Sequence, residues 1–219
     1  RAFGLRVGVD VPLALQQQHA WFVVDPLAPR PAQRESVRKR LDWLLGPPCT
    51  FDFVSTEMGT TEFTSHGEGA TLELLDLFAD HARERWGAPA FTKIHCSQGQ
   101  TCPSLRDKRD GGPLNYNYLP MYASPNLGVM PHTVQAYGFH DNAAGIYGNQ
   151  NFSAMFDYLA YEVQQGDRQV LYYGETAYWV SVDVDVPLFL PVYAHRRASD
   201  LRRLAALEAR LAAAAAAPS

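Results

Sequence analysis

The sequence predicts an α/β fold of the TIM-type (β/α) barrel kind, incomplete, with about six βα units. Short β-type runs alternate with longer helical ones, and polar residues follow most of the strand-like runs. The chain has neither GxGxxG nor a phosphate-loop motif, which disfavours a nucleotide-binding open sheet. A complete barrel has eight strands and typically ~250 residues. We therefore expect the first two units to be missing from this 219-residue chain or supplied elsewhere.

Runs rich in β-branched and aromatic residues are the predicted strands. They cover residues 5–13, 51–57, 90–97, 128–137 (interrupted by Pro131), 169–179 and 185–194. Helical patterns that end at or near glycine cover residues 33–45, 70–87, 152–166 and 196–212. The Gly-, Pro- and Asn-rich loop 98–126 includes a segment, 111–126, that we interpret as a substrate-binding flap or a partner surface. Residues 1–212 form a single barrel domain or its C-terminal three-quarters, and we expect the Ala-rich tail 213–219 to fray.

The composition limits the classes of partner that we expect for this chain. The chain is 47% hydrophobic and 19% charged, with a net charge of −4 and no basic face interleaved with aromatics, which disfavours nucleic acid. No apolar run reaches ~18 residues, so no membrane span is expected. The chain begins at Arg1, which indicates either a removed leader or numbering that starts inside a longer chain.

Cys96 and Cys102 bracket a short loop and are either bridged or ordinary thiols, with Cys49 left over. Asn151 begins an N-glycosylation sequon, which matters only in a secreted chain. Together these features favour an extracellular or secretory-pathway protein.

Glu57 and Glu175 are the predicted catalytic pair, because we expect them to lie at the ends of strands four and seven of the barrel if the first two units are missing. Retaining glycosidases need two carboxyl groups about 5–5.5 Å apart, one as acid/base and one as nucleophile. The aromatic residues near Glu175 suit the apolar faces of sugar rings; they are Tyr172, Tyr173, Tyr178 and Trp179. Glu62 competes with Glu57, and either acid is alternatively a hydrogen-bonded structural group.

A resemblance supports this interpretation. The motifs "STEMGTTEFT", "KIHCSQGQTC", "VMPHTVQAYG" and "GETAYWVSVDVDVPLFLP" make most of residues 50–203 similar to a poorly characterised group of glycoside-hydrolase-like barrel proteins. The group in turn resembles the retaining glycosidases with glutamates on strands four and seven. The resemblance implies Glu57 as acid/base and Glu175 as nucleophile. Thr56 is a departure, because the superfamily usually has an asparagine there that binds the sugar 2-hydroxyl.

Other polar residues have two interpretations. Lys93, His95, His132 and Asp10 are expected to bind substrate, together with Tyr173, Tyr178 and Trp179. Lys93, His95 and His132 also resemble the ligands of metal-dependent hydrolases, but lone histidines at strand ends are more often hydrogen-bonding groups. We therefore expect no metal and no cofactor. A Cys96–His95 dyad is disfavoured, because neighbours on a strand point to opposite faces. Asp183 and Asp185 are interpreted as structural acids.

Three function classes remain. The first is a carbohydrate-active enzyme, a retaining glycoside hydrolase acting on a polysaccharide or glycan. The second is an inactive barrel that serves as a structural or carbohydrate-binding subunit of a larger extracellular assembly. The third is a metal-dependent hydrolase.

Overall fold

The fold is built on an open parallel sheet. The computed structural model describes residues 3–13, 23–58, 67–175 and 189–216. Its strands are β1 (Gly8–Asp10), β2 (Phe53–Met58), β3 (Ala90–Ile94), β4 (Thr101–Arg106), β5 (Pro113–Asn115), β6 (Leu127–Thr133) and β7 (Tyr173–Gly174). Its α-helices are α1 (Arg30–Leu45), α2 (Glu68–Trp86), α3 (Ser153–Gln165) and α4 (Phe189–Ala216). The main sheet has the order β1-β2-β3-β6-β7 with every pair parallel, and β4 and β5 form a separate antiparallel hairpin.

The barrel prediction is wrong. The described sheet has five strands in a half-barrel arrangement that stays open, with β1 and β7 at its edges. Within the predicted strand at 185–194, residues 189–194 are helical, and residues 185–188 lie outside the described part. A short apolar run such as "PLFLPVYA" fits a buried strand and a buried helix equally well, so its hydrophobicity could not decide between them.

The two faces of the main sheet differ in chemistry. Sequential parallel strands joined by right-handed crossovers place their helices on one face. This helix face is apolar or threonine-bearing and almost wholly buried; Val54, Thr56, Thr92, Ile94 and Val129 are each 0% exposed. The strand register puts the intervening side chains on the opposite face. We call this second face the inner face; it carries Asp10, Ser55, Glu57, Lys93, His95, His132 and Tyr173.

Phenylalanines form the lower layer of the inner face. The rings of Phe53 and Phe91 meet edge to face, with centroids 6.0 Å apart. Each ring lies against a glycine of the next strand, and a β-carbon at Gly8 or Gly128 would overlap it. The two glycines thus let the aromatic layer close beneath the charged residues.

The helix predictions are confirmed, to within one residue, at the C-terminal ends of α1, α2 and α3. Gly87 and Gly166 follow α2 and α3 in the left-handed conformation that glycine adopts without steric cost, and Gly46 follows α1 in an extended conformation. Helix α4 continues to Ala216, beyond the predicted end at 212, and residues 217–219 lie outside the described part.

The loop 98–126 is more ordered than predicted. It contains the β4–β5 hairpin and a 3-10 helix, Tyr116–Tyr122, whose side chains are mostly buried. The interpretation of 111–126 as a substrate-binding flap or a partner surface stays a prediction. The loop's polar groups find partners inside the fold: the Thr71 and Tyr116 hydroxyls lie 2.7 Å apart. Pro131 does not interrupt β6.

Two further sequence expectations can be compared with the structure. None of the three cysteines forms a disulfide, so Cys96 and Cys102 are buried thiols rather than a bridge. Among the described residues, no helix combines the length and apolar character needed to cross a membrane.

Candidate functional site

The candidate site lies on the inner face, where the strands of the main sheet reach their C-terminal ends. Asp10 ends β1, Glu57 lies next to the last residue of β2, and Lys93 is the penultimate residue of β3. His132 and Tyr173 are register partners on β6 and β7. Because parallel strands present their carboxyl ends at one edge of a sheet, five separate stretches of the chain meet here.

Glu57 and Lys93 form an ion pair across β2 and β3. They are register neighbours, and the Lys93 ammonium contacts Glu57 Oε1 directly. The two side chains are only 21% and 17% exposed, so the pair is largely shielded from water. The same ammonium lies 5.2 Å from the centroid of the Tyr173 ring, a cation–π distance. Lys93 therefore links the acid of β2 to the aromatic ring of β7.

Asp10 lies beside this pair at the sheet edge. Ser55 donates a 2.8 Å hydrogen bond from its hydroxyl to Asp10 Oδ1. Asp10 is exposed as a residue, but burial raises the pKa of its carboxyl group, and the Ser55 hydrogen bond and the charge of Lys93 only partly offset this. This position agrees with the predicted substrate-binding role, which stays a prediction.

Glu175 is anchored by backbone groups. Its amide donates to the Thr133 carbonyl at 3.1 Å, and its Oε2 accepts a hydrogen bond from the amide of Gln135. Gln135 has a φ of 54°, in the left-handed region that non-glycine residues adopt only with strain. In this conformation the backbone N–H of Gln135 points at the Glu175 carboxylate. Glu175 Oε2 also lies 4.0 Å from His132 Nε2.

Two buried histidines lie between the ion pair and Glu175. The His95 and His132 ring centroids are 5.7 Å apart, and the His132 ring meets Tyr173 edge-on at 5.3 Å. Burial, and then the positive charge of Lys93, lower the pKa of His95 to about 4. Burial, and then the nearby positive charges, also hold the pKa of His132 well below its usual value. Both rings are therefore neutral near pH 7.

The tautomer of His95 follows from its hydrogen bonds. Its Nδ1 lies 3.2 Å from the amide nitrogen of Ser97 and 2.5 Å from the Ser97 hydroxyl. A backbone N–H can only donate, so Nδ1 is an acceptor and the neutral ring carries its proton on Nε2. His95 is thus held in one orientation by its own chain two residues on.

The position of Cys96 differs from the expectation that His95 and Cys96, as neighbours on a strand, point to opposite faces of the sheet. Strand β3 ends at Ile94, so the rule that neighbours point to opposite faces no longer applies. One side-chain ligand atom from each of His95, Cys96 and His132 lies within 4.8 Å of the other two, and all three residues are buried. The sulfur therefore belongs to the same cluster as the two imidazoles.

Side-chain amides hold the backbone beneath this cluster. Asn115 and Asn117 donate to the Ser97 carbonyl at 3.0 and 2.7 Å, and Asn149 donates to the Cys96 carbonyl at 2.7 Å. Tyr147 packs its ring against His95 with centroids 4.9 Å apart. These contacts come from a short strand, a 3-10 helix and turns, where no periodicity marks a buried position, so sequence reasoning missed them.

No family model, curated protein or solved structure matches this chain.

The predicted site residues fall into three groups. Those that meet on the inner face or close to it are Asp10, Glu57, Lys93, His95, His132, Tyr173 and Glu175. Tyr178, Trp179, Glu62, Asp183 and Asp185 lie outside the described residues. Thr56 is fully buried, and its side chain lies on the helix face, opposite to the side chain of Glu57.

Tyr172 is also directed away from the site. Its hydroxyl lies 2.9 Å from that of Thr133 and donates to the buried Asp200 at 2.7 Å, and it contacts Arg197 of α4. Tyr172 therefore joins α4 to the sheet instead of lining a sugar site, because it alternates with Tyr173 along the chain.

Proposed function

We propose that this chain is carbohydrate-active and functions as a retaining glycoside hydrolase with Glu57 and Glu175 as its carboxylates. The observation that supports this most directly is a continuous set of contacts between the two acids. Glu57 contacts Lys93, Lys93 lies over the Tyr173 ring, Tyr173 meets His132, and His132 lies 4.0 Å from Glu175. These contacts link the two acids along one surface, and double displacement further requires their carboxyl groups to approach to about 5–5.5 Å.

In the proposed reaction Glu175 is the nucleophile. Its carboxylate attacks the anomeric carbon and forms a glycosyl ester, while the bond to the leaving-group oxygen breaks and Glu57 protonates that oxygen. Water then attacks the ester with Glu57 as base, which regenerates both carboxyl groups. The hydrogen bond from Gln135 keeps Glu175 oriented before the sugar binds.

Lys93 and Tyr173 have binding roles in this scheme. Tyr173 is 41% exposed and offers an aromatic face for a sugar ring. Lys93 must leave Glu57 when the acid takes up a proton, and a substrate hydroxyl next to the ammonium provides its new partner. The buried, neutral His95 and the exposed Asp10 complete a surface of donors and acceptors.

The ion pair also favours a second candidate. A glutamate already neutralised by Lys93 is well suited to a site that binds sugar and does not cleave it. In that case the chain is a carbohydrate-binding subunit, and Glu57 is a structural acid.

Covalent trapping separates the two candidates. Activated 2-deoxy-2-fluoro glycosides of several sugars are incubated with the protein, and the modified peptide is located by mass spectrometry. For the enzyme we expect one label on Glu175, none in Glu175→Gln, and normal labelling in Glu73→Gln, a control on the surface of α2 that pairs with Arg30 and Arg34. Polysaccharide binding without any label supports the second candidate. Neither labelling nor binding across the panel overturns both.

A further inference from the structure

We propose that His95, Cys96 and His132 form a binding site for a divalent transition metal of the zinc type. The proposal is independent of the glycosidase chemistry, because it uses none of its carboxylates as ligands. Ligand atoms of the three side chains lie within 4.8 Å of one another. Two imidazole nitrogens and a thiolate are a borderline-soft set that zinc accepts readily.

His132 provides the observation that points most directly to a ligand. Its side chain is 3% exposed, and neither Nδ1 nor Nε2 has a hydrogen-bond partner among the described residues. A buried polar group without a partner costs about 1–3 kcal/mol. If His132 only filled space, a phenylalanine ring in its place would do so without the free-energy cost of two unsatisfied buried nitrogens. A bound cation satisfies one nitrogen outright.

The geometry requires only small movements. With Zn–N near ~2.05 Å and Zn–S near ~2.3 Å, tetrahedral ligand atoms are about 3.4–3.6 Å apart. Closing the cluster from at most 4.8 Å takes shifts of about 1 Å, which side-chain rotation supplies. Amide hydrogen bonds to the Cys96 and Ser97 carbonyls hold the backbone in place meanwhile.

The charges around the cluster balance. A divalent ion with one thiolate adds one positive charge, and Lys93 adds a second. Glu57 pairs with Lys93, and Glu175 lies 4.0 Å from His132 Nε2, so two carboxylates offset the two positive charges. Glu175 would have to approach His132 Nε2 by about 1 Å to accept a hydrogen bond from it, as carboxylates do behind histidine ligands.

The hydrogen bonds of His95 determine how its ring could coordinate a metal. The backbone N–H of Ser97 donates to Nδ1, so the ring proton lies on Nε2. Coordination through Nε2 would require that proton to move to Nδ1 and the 3.2 Å contact from the Ser97 amide to be given up, with the Ser97 hydroxyl as the new acceptor. Three protein ligands leave a fourth position for water or a substrate atom.

The test is an anaerobic titration of the metal-free protein with Co²⁺, followed by Zn²⁺ competition. We expect one equivalent to bind, with a thiolate-to-cobalt absorption band in the near ultraviolet that Zn²⁺ abolishes. Cys96→Ser should lose the band, and His132→Gln should weaken binding at least 10-fold. The matched control is Cys102→Ser, which removes another buried thiol, on β4 and outside the cluster.

Three results overturn the proposal. They are the absence of a thiolate band in the wild type at stoichiometric Co²⁺, an unchanged band in Cys96→Ser, and loss of the band in Cys102→Ser. The first needs no variant, so a misfolded Cys96→Ser protein leaves the test intact. Trapping at Glu175 is run in chelator, so failure here is distinguishable from failure of the proposed function.

Discussion

The Glu57–Lys93 ion pair provides the sharpest quantitative test of the inner face. Lys93→Met removes the ammonium and leaves a carboxylate that is only 17% exposed without its counter-charge. Removing one partner of a fully buried pair costs ~3–5 kcal/mol, and the residual exposure here reduces this to about 2–3 kcal/mol. Glu57→Gln in the same background removes the stranded charge, so the double variant should recover about 1–2 kcal/mol.

The assay is urea unfolding at pH 7, followed by circular dichroism, on wild type, both single variants and the double variant. The matched control is the Glu35–Lys39 pair on α1, which has nitrogen and oxygen 3.6 Å apart and side chains 53% and 74% exposed. Exposed pairs of this spacing couple by ~0.3–0.5 kcal/mol. A coupling energy for Glu57–Lys93 no larger than that of the control would refute the reasoning.

Two further predictions concern acids that hold the fold around the site. Burial opposes ionisation of Asp107, but hydrogen bonds from Arg109 outweigh it and lower the Asp107 pKa. The ionised Asp107 therefore stabilises the fold above the unfolded pKa of ~3.9, and this contribution is lost as the pH falls through the lower folded value. Asp107→Asn should therefore cost about 2 kcal/mol in urea unfolding at pH 7 and 5 and clearly less at pH 3; an equal cost at all three would contradict this. Asp200, 0% exposed, accepts from the Phe139 amide at 3.1 Å and lies 3.4 Å from Arg197, so Asp200→Ala should cost ~3–5 kcal/mol. Asp141→Ala removes the partner of Arg196, whose carboxylate side chain is 37% exposed, and should lower the free energy of unfolding by about 1 kcal/mol. If thermal or urea unfolding gave the same loss for Asp200→Ala and Asp141→Ala, burial would not govern the strength of these pairs.

Strand ends were the most predictable part of the site. Asp10, Glu57 and His132 follow β-type runs, and parallel strands bring such positions to one edge. Alternation also placed Lys93 and His95 on one face. The same rule failed at Cys96, because β3 ends two residues earlier and alternation holds only within a strand. Helix ends were equally well marked, since Gly87 and Gly166 have the positive φ that the sequence pattern predicts.

The errors arose where burial depends on distant contacts. Residues 111–126 have the composition of a surface loop, yet Asn117 is fully buried, because its amide donates to the Ser97 carbonyl 20 positions away. The helix from Phe189 is apolar at its start, a pattern that a buried strand shares. In both cases the deciding partner is remote in sequence, and a local pattern carries no information about it.

The two proposals for the inner face make separable demands on its residues. Sugar cleavage requires the carboxylates of Glu57 and Glu175 and is indifferent to the sulfur of Cys96. Metal binding requires Cys96 and His132, with Glu175 only as a hydrogen-bond acceptor. Cys96→Ser should therefore abolish the cobalt band and leave trapping at Glu175 intact. Glu175→Gln should abolish trapping and lower metal affinity no more than ~10–100-fold. If trapping at Glu175 required the thiol, the inner face would be a single metal-dependent site, and the glycosidase mechanism with two carboxylates would have to be abandoned.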